Sequence, residues 1–172
     1  IHHLIWMDNI DAMLAAMQNG IDRGFTCLKM KVGALPFPEE LELLRQAHTA
    51  FPQAELRVDA NGAFSPQEAL SKLQQLAQFD LHSIEQPIRA HQRQAMHDLC
   101  RVTPIPIALD EELIGNYTLA EKAQLLDDIQ PQYIILKPSL HGGIAGCEEW
   151  IALAHKRKIG YWVTSALESD IG

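Results

Sequence analysis

Seven short apolar runs rich in Val, Ile and Leu alternate with longer amphipathic segments along this chain of 172 residues. The runs lie at 3–7, 27–32, 55–60, 81–87, 105–111, 132–138 and 160–166. Strands that alternate with helices, without hairpin signals between them, indicate parallel strands joined by right-handed crossovers. Two fold classes fit this pattern: an open doubly wound sheet and a closed (β/α)8 barrel.

Two of the segments between the runs carry complete helix-start signals. Ser65 is followed by Pro66 and Glu68, which together form a capping box with proline in the first turn. Thr118 and Glu121 repeat the box before the next amphipathic stretch. The sequence therefore predicts helices after both boxes, each with its apolar stripe turned toward the strands.

Ionisable residues stand at the C-terminal ends of five successive runs, at intervals of 25 to 28 residues. They are Lys31, Asp59, Glu85, Asp110 and Lys137. A barrel gathers the C-terminal ends of its strands around one mouth, where barrel enzymes carry out their chemistry. The first run is not followed by the G-x-G-x-x-G of dinucleotide-binding sheets. We therefore predict an α/β fold of the (β/α)8 or TIM-barrel type.

The alternation of strand side chains refines the prediction for the mouth. Lys29 and Lys31 share one strand face, and Asp59 and Asn61 share the corresponding face of the next run. Taken alone, a lysine at a strand end is usually solvated and an aspartate there usually caps the next helix. The shared period favours a functional interpretation. Three carboxylates with no neighbouring His or Cys suit Mg²⁺, with Mn²⁺ as the alternative.

Composition excludes several other classes of function. The net charge of -8 argues against a nucleic-acid partner, and no apolar run approaches the roughly 20 residues that a membrane span needs. The three cysteines, Cys27, Cys100 and Cys147, are widely separated and form no C-x-x-C pair. They predict buried, reduced thiols in a cytoplasmic protein. The tryptophans, Trp6, Trp150 and Trp162, are expected to pack in the core or between helices and sheet.

The motifs "CLKMKV", "VDAN", "IEQP", "ALDE" and "ILKP" resemble those of the enolase superfamily, in its muconate-lactonizing subgroup. The resemblance implies removal of a proton alpha to the carboxylate of a small-molecule substrate. It assigns the metal ligands to Asp59, Glu85 and Asp110, the general base to Lys31, and the lysine on the opposite face of the substrate to Lys137. Lys29 becomes the electrostatic partner whose charge disfavours the ammonium form of Lys31. Asn61 and Ser165 are further candidates for substrate contacts.

The longer phrases "LHSIEQP", "PIALDEELIG", "QYIILKPSLHGG" and "TSALES" are similar to those of a dehydratase branch of the subgroup. Racemases or epimerases of acylated amino acids and dipeptides, which use the same groups, are the nearest alternative. A non-catalytic metal-binding barrel fragment is the alternative from another class. Gly142 and Gly143 either offer amides to a substrate carboxylate or only form a tight turn.

The ends of the sequence suggest a segment of something longer. It starts at Ile1 rather than methionine and stops shortly after the seventh run. We expect residues 1–172 to form one incomplete barrel domain. The resemblance implies an N-terminal capping domain and an eighth strand that this sequence does not supply. Open edges on the first and seventh strands would then invite self-association.

Overall fold

The computed structural model describes residues 2–166 and 168. Within them, the strands are β1 (His3–Ile5), β2 (Cys27–Lys31), β3 (Glu55–Asp59), β4 (Ser83–Glu85), β5 (Ile107–Leu109), β6 (Tyr133–Leu136) and β7 (Gly160–Val163). The helices are α1 (Ile10–Asp22), α2 (Phe37–Ala50), α3 (Pro66–Leu76), α4 (Arg93–Val102), α5 (Leu119–Ile129) and α6 (Gly143–Arg157). Short 3-10 turns span Ala77–Phe79 and Glu111–Leu113.

All seven strands are parallel and lie in one sheet in chain order, β1 to β7. The sheet is curled, because Leu4 of β1 and Val163 of β7 line the same cavity. This confirms the predicted α/β barrel architecture over the seven strands that the described residues supply. Because the strands are parallel, their C-terminal ends all lie at the same end of the curled sheet. This arrangement brings the residues that end the strands together.

Alternate side chains of the strands point to opposite faces of the sheet, as the sequence predicts. Leu28 and Met30 of β2 are about 1% exposed and belong to the core between the sheet and the helices. Lys29 and Lys31 lie on the opposite, inner face and line the cavity. The register pairs Lys31 with Asp59 and Asp59 with Glu85, so these charged residues stand side by side on neighbouring strands.

The predicted helix starts are present in the structure. Ser65 and Glu68 form a capping box at α3, and Thr118 and Glu121 form one at α5. The fourth strand is shorter than its apolar run, since it ends at Glu85. Gln86 has a left-handed φ of 39°, and the following proline has no N–H for a ladder hydrogen bond.

The core packs between the sheet and the surrounding helices, and its largest fully buried side chain is Trp150. The expectation for Trp6 is wrong, because this side chain is 57% exposed and borders the cavity at the C-terminal ends of the strands. The three cysteines are buried and free, as predicted. Within residues 2–166 and 168, every helix is too short or too polar to serve as a membrane span.

Candidate active site

The structure brings the five strand-end residues to one mouth. Lys31, Asp59, Glu85, Asp110 and Lys137 all line a cavity of about 680 Å³. Because the strands follow chain order, the two lysines stand on either side of the three carboxylates. The carboxylates are almost fully buried, whereas the side chains of Lys31 and Lys137 each keep 17% of their surface exposed. The side chains of Lys31 and Lys137 are therefore more accessible from the cavity than the three carboxylates are.

Lysines contact each of the three carboxylates. Lys29 Nζ lies 3.0 Å from Asp59 Oδ2 and 2.5 Å from Glu85 Oε2, so it bridges two strands. Lys31 Nζ donates to the same Asp59 Oδ2 at 2.7 Å. On the far side, Lys137 Nζ pairs with Asp110. Lys29 and Lys31 thus share one carboxylate oxygen, which offsets the direct repulsion that their spacing in the sequence suggests.

Burial and charge act against each other in this cluster. Burial opposes the charge on Lys29, but Glu85 and Asp59 outweigh it and raise the pKa of Lys29. Burial likewise opposes ionisation of Asp59, but Lys29 and Lys31 lower its pKa. Glu85 differs, because burial and the neighbouring Asp59 raise its pKa well above the usual value. At Glu85, therefore, burial and the neighbouring carboxylates outweigh the contact with Lys29 and favour the protonated carboxyl.

The donor set fits a hard divalent cation. In the described part of the chain, Glu85 Oε1 and Asp110 Oδ1 are buried and accept no hydrogen bond, which is costly for carboxylate oxygens unless a cation meets them. Carboxylate oxygens are the ligands that Mg²⁺ prefers. Across residues 2–166 and 168, however, no three Asp, Glu, His or Cys side chains stand together as a ready metal-binding group. The ammonium groups occupy part of that space, so a cation would have to take over carboxylate contacts that the lysines now make.

The two candidate substrate contacts occupy different surroundings. Asn61 lines the cavity with a left-handed φ of 43°. Its Oδ1 accepts from Lys31 Nζ at 2.6 Å and its Nδ2 donates to Glu111 Oε1 at 2.8 Å. Ser165 is exposed at the rim, beyond β7. Asn61 therefore contacts Lys31 directly, whereas Ser165 lies at the rim of the cavity.

Sequence reasoning missed the apolar part of the mouth. Trp6, Ile114 and Leu140 line the cavity and are 57%, 37% and 36% exposed. Each of these residues follows the end of a strand by one to five positions. That position in the sequence could have predicted their place at the mouth. These side chains give the mouth an apolar rim above a charged floor, which suits a substrate with both a carboxylate and a carbon skeleton.

The glycines after β6 form a tight turn. Gly142 and Gly143 have left-handed φ values of 83° and 72°, and the Gly143 N–H donates to the Pro138 carbonyl at 2.8 Å. Leu140 lines the cavity, whereas neither glycine does. The structure thus favours the turn interpretation of this stretch over the substrate-binding one.

The loop after Lys31 is held by a buried carboxylate. Glu40 is 2% exposed, and its Oε1 accepts from the N–H groups of Gly33, Ala34 and Leu35 at 2.5, 3.1 and 3.2 Å. Three successive amides around one oxygen form a nest, a geometry that favours an anion. Glu40 thereby ties the loop that leaves the Lys31 strand to helix α2.

Replacing Glu40 with alanine is expected to lower the free energy of unfolding by about 1–3 kcal/mol, because the three amides lose their acceptor. Urea denaturation measures the loss, and amide hydrogen exchange should show faster exchange at residues 33–35. Glu39 is exposed in the same turn of α2, so Glu39→Ala is the matched control and should change neither quantity appreciably. Equal effects from both variants would contradict the role given to Glu40.

A curled parallel sheet in chain order, with helices between its strands and charged side chains at its mouth, places this chain in the class of parallel α/β barrel domains. The chain belongs to the family described as "Enolase C-terminal domain-like", whose family model matches residues 12–172.

Among its relatives, an o-succinylbenzoate synthase from Desulfotalea psychrophila is 51% identical over all of this chain and 47% of its own length. The crystal structure of MenC from the same organism superposes with a TM-score of 0.93 at 49% identity, covering 100% of this chain and 48% of that one. An N-succinylamino acid racemase from Thermus thermophilus is 30% identical over 95% of this chain and 42% of its own length. The chain thus spans about half the length of the curated relatives that it matches.

Proposed function

We propose that this protein supplies the catalytic barrel of an o-succinylbenzoate synthase, a carbon–oxygen lyase of menaquinone biosynthesis. The observation that carries the proposal is the pair of cavity-facing lysines, Lys31 and Lys137, on opposite sides of the buried carboxylates. Similarity over all of this chain, and 47% of the relative's own length, to a protein named o-succinylbenzoate synthase supports the choice of substrate. The substrate is then a cyclohexadiene carboxylate with a succinyl side chain and a ring hydroxyl.

Lys31 is the proposed general base. As the neutral amine it takes the proton alpha to the substrate carboxylate, and the C–H electron pair passes into the enediolate. The resulting ammonium then gives a proton to the ring hydroxyl, so that water departs and the ring becomes aromatic. Asn61 accepts a hydrogen bond from Lys31 Nζ at 2.6 Å, which orients the lysine for proton transfer.

Lys137 is the proposed cationic partner on the other face. Its ammonium is paired with Asp110 and partly exposed to the cavity. A fixed positive charge beside the substrate would stabilise the negative charge that develops on the substrate oxygens when the proton leaves.

Asp59, Glu85 and Asp110 are the proposed ligands of a divalent cation, Mg²⁺ or Mn²⁺. When bound, such a cation supplies electrostatic stabilisation to a substrate carboxylate. The unpartnered oxygens of Glu85 and Asp110 support this assignment. Lys29, buried between Asp59 and Glu85, would hold the two carboxylates in place from below.

Turnover of the succinyl-cyclohexadiene carboxylate by the full-length protein tests the proposal. We expect formation of the aromatic product, dependence on Mg²⁺, and loss of Mg²⁺ binding by calorimetry in Asp110→Asn. Asp128 is on α5 at the protein surface and pairs with Arg93, so Asp128→Asn is the control that should keep both properties. A protein that binds Mg²⁺ but forms no product would contradict the assigned reaction.

A racemase of N-succinylamino acids is the second candidate, and the Thermus thermophilus relative favours it. In that reaction Lys31 and Lys137 would exchange roles as base and acid on the two faces of one carbon. Deuterium exchange into N-succinylamino acids, measured beside dehydration on the same preparation, separates the two candidates.

A further inference from the structure

The main chain of Lys137 is held by a side chain instead of a neighbouring strand. Lys137 comes directly after β6, and the proline that follows it ends the strand. Its N–H donates to Nδ1 of His141 at 2.9 Å, and the His141 N–H returns to the Lys137 carbonyl at 3.1 Å. The imidazole therefore replaces the missing ladder partner at the residue that carries the cavity-facing ammonium.

The surroundings of His141 fix its ring. The residue is 4% exposed, and its ring meets that of fully buried Trp150 edge to face, with centroids 6.3 Å apart. A Cβ on Gly146 would fall 1.8 Å from the His141 carbonyl oxygen, so only glycine fits at that position. Buried Lys122 in turn donates to the Gly146 carbonyl at 3.2 Å. Helices α5 and α6 thus hold the turn on which His141 lies.

The hydrogen bond requires a neutral imidazole with its proton on Nε2, because Nδ1 is the acceptor. Burial lowers the pKa of His141 to about 4, against the opposing effect of Asp110. The acceptor is therefore available throughout the neutral range. The Gly-rich stretch, for which the sequence left open a substrate contact or a tight turn, builds this turn.

We propose that His141 is a positioning residue for Lys137, setting through the main chain where the lysine ammonium stands in the mouth. The hydrogen bond between Lys137 and His141 is a feature of the geometry. Its expected effect on turnover rests on the proposed function. Lys137 Nζ reaches the mouth on a flexible four-carbon stem, so a fixed Cα and N–H direction narrows the positions that the ammonium can take.

The test compares His141→Leu, which has no acceptor, with His141→Asn, whose Oδ1 can occupy the place of Nδ1. We expect kcat to fall by about ten- to a hundredfold in the leucine variant with little change in KM, as is usual when an orienting hydrogen bond is lost. The asparagine variant should recover most of kcat. Thermal melts of both variants control for loss of the fold.

Two NMR measurements do not depend on turnover. In the wild-type protein, a scalar coupling across the hydrogen bond should join the Lys137 amide nitrogen to His141 Nδ1. The Cε and Hε shifts of Lys137 should move in His141→Leu and stay near wild type in His141→Asn.

Absence of the coupling in the wild type would overturn the hydrogen bond and with it the proposal. Unchanged Lys137 shifts in a folded leucine variant, or equal kcat losses in the two variants, would overturn the positioning role and leave His141 a packing residue. A wild-type protein that shows the coupling and the variant-specific shifts but forms no product would instead contradict only the proposed function.

Discussion

Lys31→Ala is expected to lower kcat for dehydration by on the order of 10³-fold, because the variant has no amine to take the alpha proton. The fold should survive, since Asp59 keeps its contact with Lys29 at 3.0 Å. Steady-state kinetics in the full-length protein, with a thermal melt as the check on folding, measures the effect. Lys156, exposed at the end of α6, provides Lys156→Ala as a control that should retain wild-type kinetics.

Lys137→Ala separates the two candidate reactions on the same assay. In a dehydratase it removes a fixed cation, so dehydration falls by about 10²- to 10³-fold and no isotope exchange into N-succinylamino acids appears. In a racemase, the remaining Lys31 would still exchange the alpha hydrogen of one enantiomer. Exchange confined to one enantiomer in Lys137→Ala, beside loss of racemisation, would therefore count against the dehydratase.

Lys29→Met is expected to lower the free energy of unfolding by about 3–5 kcal/mol near neutral pH, because it leaves two buried carboxylates without their shared cation. The contacts of Lys29 with Asp59 and Glu85 are at 3.0 and 2.5 Å, and all three side chains are nearly inaccessible to solvent. Urea denaturation without added divalent cation measures the loss. Arg45→Met, which breaks an exposed pair with Glu42, is the control that should change stability little.

The pH dependence of that loss has a definite sign. Burial and Asp59 already raise the pKa of Glu85 in the folded protein above its usual value of 4.5, and removing the Lys29 charge raises it further. A carboxyl whose pKa is higher when folded binds its proton more tightly in the folded state, so stability improves as the pH falls. The deficit of Lys29→Met should thus be largest near pH 7 and shrink toward pH 4.5. A deficit that grows on acidification would contradict this account.

Catalysis in Lys29→Met should also suffer. Without Lys29, the Asp59 carboxylate keeps only its contact with Lys31 and Glu85 loses its cation, so the carboxylates should be held less firmly and kcat/KM should fall. An unchanged kcat/KM in a folded Lys29→Met variant would leave Lys29 a purely structural residue.

The features that sequence reasoning predicted well are periodic or local. The strands follow from apolar runs at the spacing of one strand and one helix, and the capping boxes of α3 and α5 are complete within four residues of sequence. Strand alternation alone places Lys29 with Lys31 on the inner face. The features it missed are contacts between distant segments, such as the three amides on Glu40 and the exposure of Trp6 at the mouth.

By itself the sequence determined which residues end the strands and on which face they lie, because these depend on the two-residue period of a strand and the roughly 26-residue period of the repeat. Only the tertiary structure decided which charged groups form ion pairs: Lys29 and Lys31 both contact Asp59. Lys137 pairs with Asp110, and its main-chain N–H donates to His141. The physical reason is that ion pairs and buried hydrogen bonds depend on ångström-scale distances, which register, sheet curvature and helix packing set together and no local pattern encodes.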